Sequence, residues 1–156
     1  SNHAVPGDES RHNLIYWRYG DYAGVGPGAH GRLGRSDGTR VATETLRDPA
    51  AWLGQVERDG HGIEAQTTLA PLEQAEERLL MGLRLAEGVS LPRLRALTGH
   101  DVAPAAFDDL RAMGLIAVAE DRVRVAEGGR LLLNQIAVEL ASALYPLENL
   151  SPAATA

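Results

Sequence analysis

PAAFDDLRAMGLIAVAEDRVRV, residues 104–125, spells a helix, a stop and a hairpin in one run. Pro104 suits the first helical position, where a backbone N–H would be unpaired anyway, and Gly114 stops the helix just past Met113. Leu115 to Ala119 and Arg122 to Val125 then alternate as two short strands around Glu120 and Asp121. Upstream, Ser90 can cap a helix with Leu91, Leu94 and Leu97 inward and Gly99 past its end. Before that, Leu72, Ala75, Leu79, Leu83 and Ala86 mark one face of a helix begun by Pro71 and stopped by Gly88. Downstream, Gly128 and Gly129 break the chain, and a last helix carries Leu133, Ile136, Leu140 and Leu144. Three helices, a hairpin and a closing helix form a winged-helix-like order.

The composition shifts near Leu69, and the spacing predicts a boundary around Thr67 to Pro71. Before it lie Tyr16, Trp17, Tyr19, Tyr22 and most of the glycines. Ser10 can cap a short helix through His12, Tyr16 and Tyr19. Tyr22 to Ala29 reads as a buried strand weakened by glycines. Asp48 and Pro49 start another helix, with Trp52, Leu53 and Val56 inward. The fold class expected is therefore α+β. The Ser-Pro-Ala-Ala-Thr-Ala end, residues 151–156, reads as a disordered tail.

The totals exclude several classes. The chain has 156 residues, a formal charge of -6 and no cysteine, and all 15 of its basic side chains are arginine. The charge argues against nucleic-acid and anionic-membrane binding. Without cysteine there is no disulfide, no thiolate nucleophile and no Cys-ligated cluster within this chain. No apolar run approaches the roughly 20 residues of a membrane span, and no signal peptide is visible. The expectation is a cytoplasmic chain with no integral membrane segment.

Two stretches could carry chemistry. On a helix, His12 and Tyr16 lie one turn apart, as do Asn13 and Trp17. An imidazole can ligate heme iron and aromatic rings can stack on a porphyrin; the same residues could equally pack a small core. The second stretch runs from Gly24 to Gly31 and includes Gly26, Gly28 and His30. Its glycines permit close backbone approach, but Pro27 and the lack of a following helix argue against a dinucleotide fingerprint. A strand end at an active site and a purely structural tight strand both stay open. His3, His12, His30, His61 and His100 show no metal-ligand spacing, and no catalytic residues are assigned.

In order along the chain, Ser1-Asn2-His3-Ala4, His12-Asn13-Leu14-Ile15-Tyr16-Trp17, Asp21 to Gly31, Glu76 to Leu85 and Gly128 to Asn134 resemble successive motifs of one family. It is that of the oxygen-independent coproporphyrinogen III oxidase-like radical-SAM proteins, and the likeness covers nearly the whole chain. His-Asn-x-x-Tyr-Trp is similar to the signature of its HemW heme-chaperone branch. The resemblance implies that residues 1–68 are the terminal segment of a radical-SAM barrel with its connecting helix, and that residues 69–150 are the C-terminal domain. It implies that Ser1 is internal family sequence. It implies a fragment that is not catalytic alone and holds no cofactor, within a full-length protein carrying a 4Fe-4S cluster, S-adenosylmethionine and heme.

The same resemblance raises His12, Asn13, Tyr16 and Trp17 as heme contacts, with His12 the one metal ligand, and sets Gly26, Gly28 and His30 near the S-adenosylmethionine site. Implied partners are heme or a porphyrinogen and the missing N-terminal barrel. An unpaired strand edge also invites self-association. The alternatives are the C-terminal domain of a porphyrinogen-oxidising enzyme, a coproporphyrinogen III dehydrogenase-like oxidoreductase, and a winged helix that binds nucleic acid. One departure is Ala70, where family members offer a Ser or Thr cap worth about 1 kcal/mol.

Overall fold

Three helices start by the same local chemistry. The side chains of Ser10, Asp48 and Ser90 accept from the backbone N–H three residues on, at 3.4, 2.8 and 3.4 Å. Each satisfies one of the donors that a helix start leaves unpaired. The computed structural model describes Asp8 and residues 10–147. The tail at 151–156 and the Ser1 to Ala4 motif lie outside the described residues. Mixed helices and small sheets make the fold α+β, and the chain divides into two units between Ala70 and Pro71. Among the described residues, no helix is long and apolar enough to cross a membrane.

The first unit holds α1 (Arg11–Trp17), β1 (His30–Gly34), β2 (Arg40–Thr45), α2 (Pro49–Asp59) and β3 (Ile63–Thr68). The strands form an antiparallel sheet in the order β1-β2-β3, with His30 opposite Glu44 and Val41 opposite Thr68. The β1–β2 turn is fixed by Asp37, which accepts from the Thr39 hydroxyl at 2.6 Å and the Thr39 amide at 2.9 Å. These two bonds hold the Asp37 carboxyl below its ordinary pKa. Val41 is the buried apolar anchor of β2.

Two expectations for this unit fail. Tyr22 to Ala29 is not a buried strand: only Tyr22 bridges, to Arg32, and Val25 is 86% exposed. Gly26 and Gly28 have φ of 104° and 66°, outside the strand region, and Pro27 has no N–H to donate to a ladder. Leu53 also points to solvent rather than inward.

The second unit runs α3 (Pro71–Gly82), β4 (Val89–Ser90), α4 (Leu91–Thr98), β5 (His100–Val102), α5 (Pro104–Ala112), β6 (Ile116–Ala119) and β7 (Arg122–Val125). A 3-10 turn (Glu127–Leu132), α6 (Leu133–Ser142) and β8 (Leu144–Pro146) follow. Helix, strand, two helices and a hairpin, with β4 and β6 flanking β7, make a winged-helix arrangement. The hairpin turns on Glu120 and Asp121, both at positive φ (52° and 58°), the backbone of a two-residue turn matched to strand twist. Ala75, Leu79, Leu83, Leu94, Val102, Val123, Ile136 and Leu140 belong to one buried cluster.

Several inward assignments are corrected here. Leu72 and Leu97 are exposed, and Leu133 is only half-buried at the start of α6. Helix α3 ends at Gly82, so Ala86 lies in the turn that follows rather than on the helix face. Leu144 leaves the last helix and pairs with Val102 in a second small sheet, β5-β8. That strand pairing ties the end of the closing helix back to the α4–α5 connection.

Candidate functional site

Helix α1 carries the first group of site residues. Its N-terminus is set by Ser10, and its C-terminus by Arg18, whose backbone N–H donates to the Leu14 and Tyr16 carbonyls. The one-turn spacing brings His12 and Tyr16 together: the phenol oxygen lies 2.5 Å from His12 Nε2, and the rings meet edge-on at 4.6 Å. His12 is exposed and Tyr16 half-buried. Tyr16 in turn packs edge-on against Tyr22 at 4.3 Å. Asn13 and Trp17 share the neighbouring stripe of the helix, about 100° around the axis from His12 and Tyr16.

Residues distant in sequence hold α1 in place. Arg40 of β2 is buried; it donates to Asp21 Oδ1 at 2.8 Å and to the Gly20 carbonyl at 2.7 Å, and its guanidinium lies 4.1 Å from the Tyr19 ring centre. Arg40 Nε has no hydrogen-bond partner, so the stacked guanidinium face and two directed bonds carry the interaction. This clamp fixes the segment that follows α1. Sequence reading missed Arg40 because its partners stand about twenty residues upstream, beyond any local spacing rule.

The glycine stretch forms a loop stitched to the end of β2 by Thr45. The Thr45 hydroxyl donates to the Gly26 carbonyl at 2.6 Å and accepts from the Ala29 amide at 2.8 Å, while the Gly28 amide donates to the Leu46 carbonyl at 2.8 Å. A Cβ on Gly31 would lie 2.4 Å from Thr43 Oγ1. The chain's own close approaches thus account for much of the glycine content. His30 is exposed, with Nδ1 3.7 Å from Glu44. Tyr22 joins the two stretches, touching Tyr16 on one side and bridging to Arg32 of β1 on the other.

In the second unit, α5 occupies the position that reads DNA in winged-helix proteins. It presents exposed Asp108 and Asp109, with Arg111 3.8 Å from Asp108. Carboxylates there would face phosphates. Labelled duplex DNA is expected to show no mobility shift with submicromolar protein at moderate salt; a salt-sensitive shift would reverse that expectation. Among the described residues no group of three or more His, Cys, Asp or Glu is placed to hold a metal ion.

Residues 69–132 match the model of the HemN C-terminal domain family. The chain is 33% identical over 138 residues to the heme chaperone HemW of Escherichia coli (strain K12), covering 87% of this chain and 35% of that protein. It is 35% identical over 153 residues to the mitochondrial radical S-adenosyl methionine domain-containing protein 1 of Bos taurus, covering 92% and 35%. Among solved structures it is similar to the coproporphyrinogen III oxidase HemN of Escherichia coli, a radical SAM enzyme, with a TM-score of 0.60 over 89% of this chain and 35% of that one. At 16% identity that likeness speaks for the fold alone. The chain spans about a third of the length of these relatives.

Proposed function

We propose, for a chain whose residues 69–132 belong to the HemN C-terminal domain family and which is related along most of its length to heme chaperones, that it is the C-terminal, non-catalytic part of a radical-SAM protein that binds and hands on heme. One observation carries the reading: an exposed imidazole, His12, held one turn from Tyr16 on α1. Residues 1–68 would be the terminal segment of the barrel with its connecting helix, and residues 69–150 the C-terminal domain. A cluster and S-adenosylmethionine would be held by upstream sequence, since this chain has no cysteine to offer iron. Gly26, Gly28 and His30 would form the part of the chain nearest that cofactor.

His12 acts as the heme ligand in this reading. Its hydrogen bond to Tyr16 decides which nitrogen faces the iron. If Nε2–H donates to the phenol oxygen, Nδ1 keeps its lone pair and Tyr16 orients the ring, as partners of ligating histidines ordinarily do. If the phenol donates to Nε2, ligation through Nε2 must displace it. Tyr16 rests on Tyr22 in either case, so the imidazole is steadied from below while its outer edge stays open.

The test is a hemin titration of the full-length protein and its His12→Ala variant, followed at the Soret band. The variant is expected to bind at least tenfold more weakly, about the 1.4 kcal/mol that separates decades of affinity, and to lose the imidazole ligand-field spectrum. Equal affinity with an unchanged spectrum would remove His12 as ligand. A loss of folding stability alone would leave His12 and Tyr16 as packing residues.

A further inference from the structure

A second face of α1 flanks the His12 stripe and is built differently. Arg11, Ile15 and Arg18 recur at spacings of four and three, so they share one side of the helix, with Leu14 beside them. Together with Gly20 they line an open groove of about 270 Å³ whose walls are mostly apolar. Ile15 is 44% exposed there, so the groove floor is hydrocarbon in contact with water. Gly20 closes one end: its amide donates to the Ile15 carbonyl at 2.8 Å, and a Cβ on it would lie 3.2 Å from Ile15 Cγ2 and crowd the floor. The Arg40 bond to the Gly20 carbonyl keeps that end fixed.

The charge pattern is specific. The whole chain has a formal charge of -6, yet α1, RHNLIYW, contains no acidic residue, and an arginine stands at each end of the groove. Seven residues of helix separate Arg11 from Arg18 by about 10 Å along the axis, within reach of two long side chains converging on one ligand edge. An apolar floor between two guanidiniums complements an amphiphile with a flat apolar body and carboxylates on one rim. Guanidinium pairs with carboxylate through two parallel hydrogen bonds. His12, next to Arg11 and turned about 100° around the helix, opens beside this groove rather than into it.

We infer that this groove takes the propionate edge of the tetrapyrrole, with Arg11 and Arg18 binding its carboxylates while the macrocycle extends toward His12. The inference rests on the heme reading above and adds the residues that would hold the ligand's acidic rim. The groove is too small for the whole macrocycle, so it acts as a docking edge. Arg11 and Arg18 are specificity-determining residues: they discriminate a tetrapyrrole with free propionates from one without.

The experiment pairs ligand and protein changes. Hemin and hemin dimethyl ester, whose carboxylates are capped, are titrated into the full-length protein, its Arg11→Gln/Arg18→Gln variant and its Arg11→Lys/Arg18→Lys variant. Wild type is expected to bind hemin about tenfold more tightly than the ester. The glutamine variant is expected to bind both as weakly as wild type binds the ester, with the saturated Soret spectrum unchanged. The lysine variant should recover most of the discrimination. Both arginines are exposed, so the substitutions leave the core alone, and far-UV circular dichroism checks this. If wild type binds ester and hemin alike, or the glutamine variant still discriminates, the groove does not hold propionates, although the heme reading survives. If wild type binds neither ligand, both readings fall.

Discussion

Leu79→Ala is expected to destabilise the second unit by about 2–5 kcal/mol, the range found when a leucine is truncated in a closed core. Leu79 has no exposed surface, and it shares one buried cluster with Leu83, Leu94, Ile136 and Leu140. Removing three carbons from its centre leaves a void that the close-packed side chains around it fill only in part. Sequence spacing alone puts Leu133 in the same class, but Leu133 stands half-buried at the start of α6, where Ile136 and Leu140 take the inward positions. Leu133→Ala should therefore cost only about 1 kcal/mol, or roughly 4–8 °C in melting temperature for a unit of this size. Trp17 and Trp52 both lie in the first unit, so their fluorescence does not report on this core. Hydrogen exchange at the amides of α3 and α6 does. Equal, small losses for both variants would show that the α3 face points elsewhere.

Much of the second unit is legible in the sequence because its signals are local. Ser90, Pro104, Gly99 and Gly114 each act on their own turn of backbone, and the helices begin and end where those residues stand. The short strands are another matter. Val89–Ser90, His100–Val102 and Leu144–Pro146 are two or three residues long, too short to display a period, and they exist because partners far along the chain pair with them. Leu144 continues the helical spacing of α6 and still leaves the helix, so tertiary pairing outweighs the local pattern there.

The same division holds for the candidate site. The i, i+4 contact of His12 with Tyr16 follows from helix geometry and is visible in the sequence. The Arg40 clamp, the Thr45 stitches and the Tyr22 bridge are long-range, and no spacing announces them. The groove of Arg11, Ile15 and Arg18 lies between these cases: its spacing is plain, but attention to the aromatic stripe hides it. The glycine stretch misleads for a physical reason, since residues 22–29 mix apolar side chains with glycines that serve left-handed turns and tight contacts rather than a strand.

Gly88→Ala is expected to be at least as damaging as Leu79→Ala, at about 3–5 kcal/mol, through a different mechanism. Gly88 ends the turn after α3 with φ of 64°, and a Cβ there would lie 2.1 Å from the Val123 carbonyl oxygen and 2.7 Å from Arg124 Cγ. The nearer obstacle is backbone of β7, the central strand of the β4-β7-β6 sheet, so it cannot swing aside as a side chain would. The turn is also bound to β7 from the other direction: Arg122 donates to the Glu87 carbonyl at 2.7 Å and the Gly88 carbonyl at 3.0 Å. Relieving the clash must part β4 from β7 or break those bonds, and Val89 and Val123, both core residues, sit at that pairing. Gly114 supplies the control. Its φ is 70°, but nothing lies within 4 Å of a Cβ there, so Gly114→Ala bears only the left-handed backbone penalty of roughly 1–2 kcal/mol. Chemical denaturation followed by hydrogen exchange in the second unit should separate the two variants by about 1–4 kcal/mol. Matching losses would mean that β7 does not press on Gly88, and that the join between α3 and the wing is looser than the sheet pairing implies.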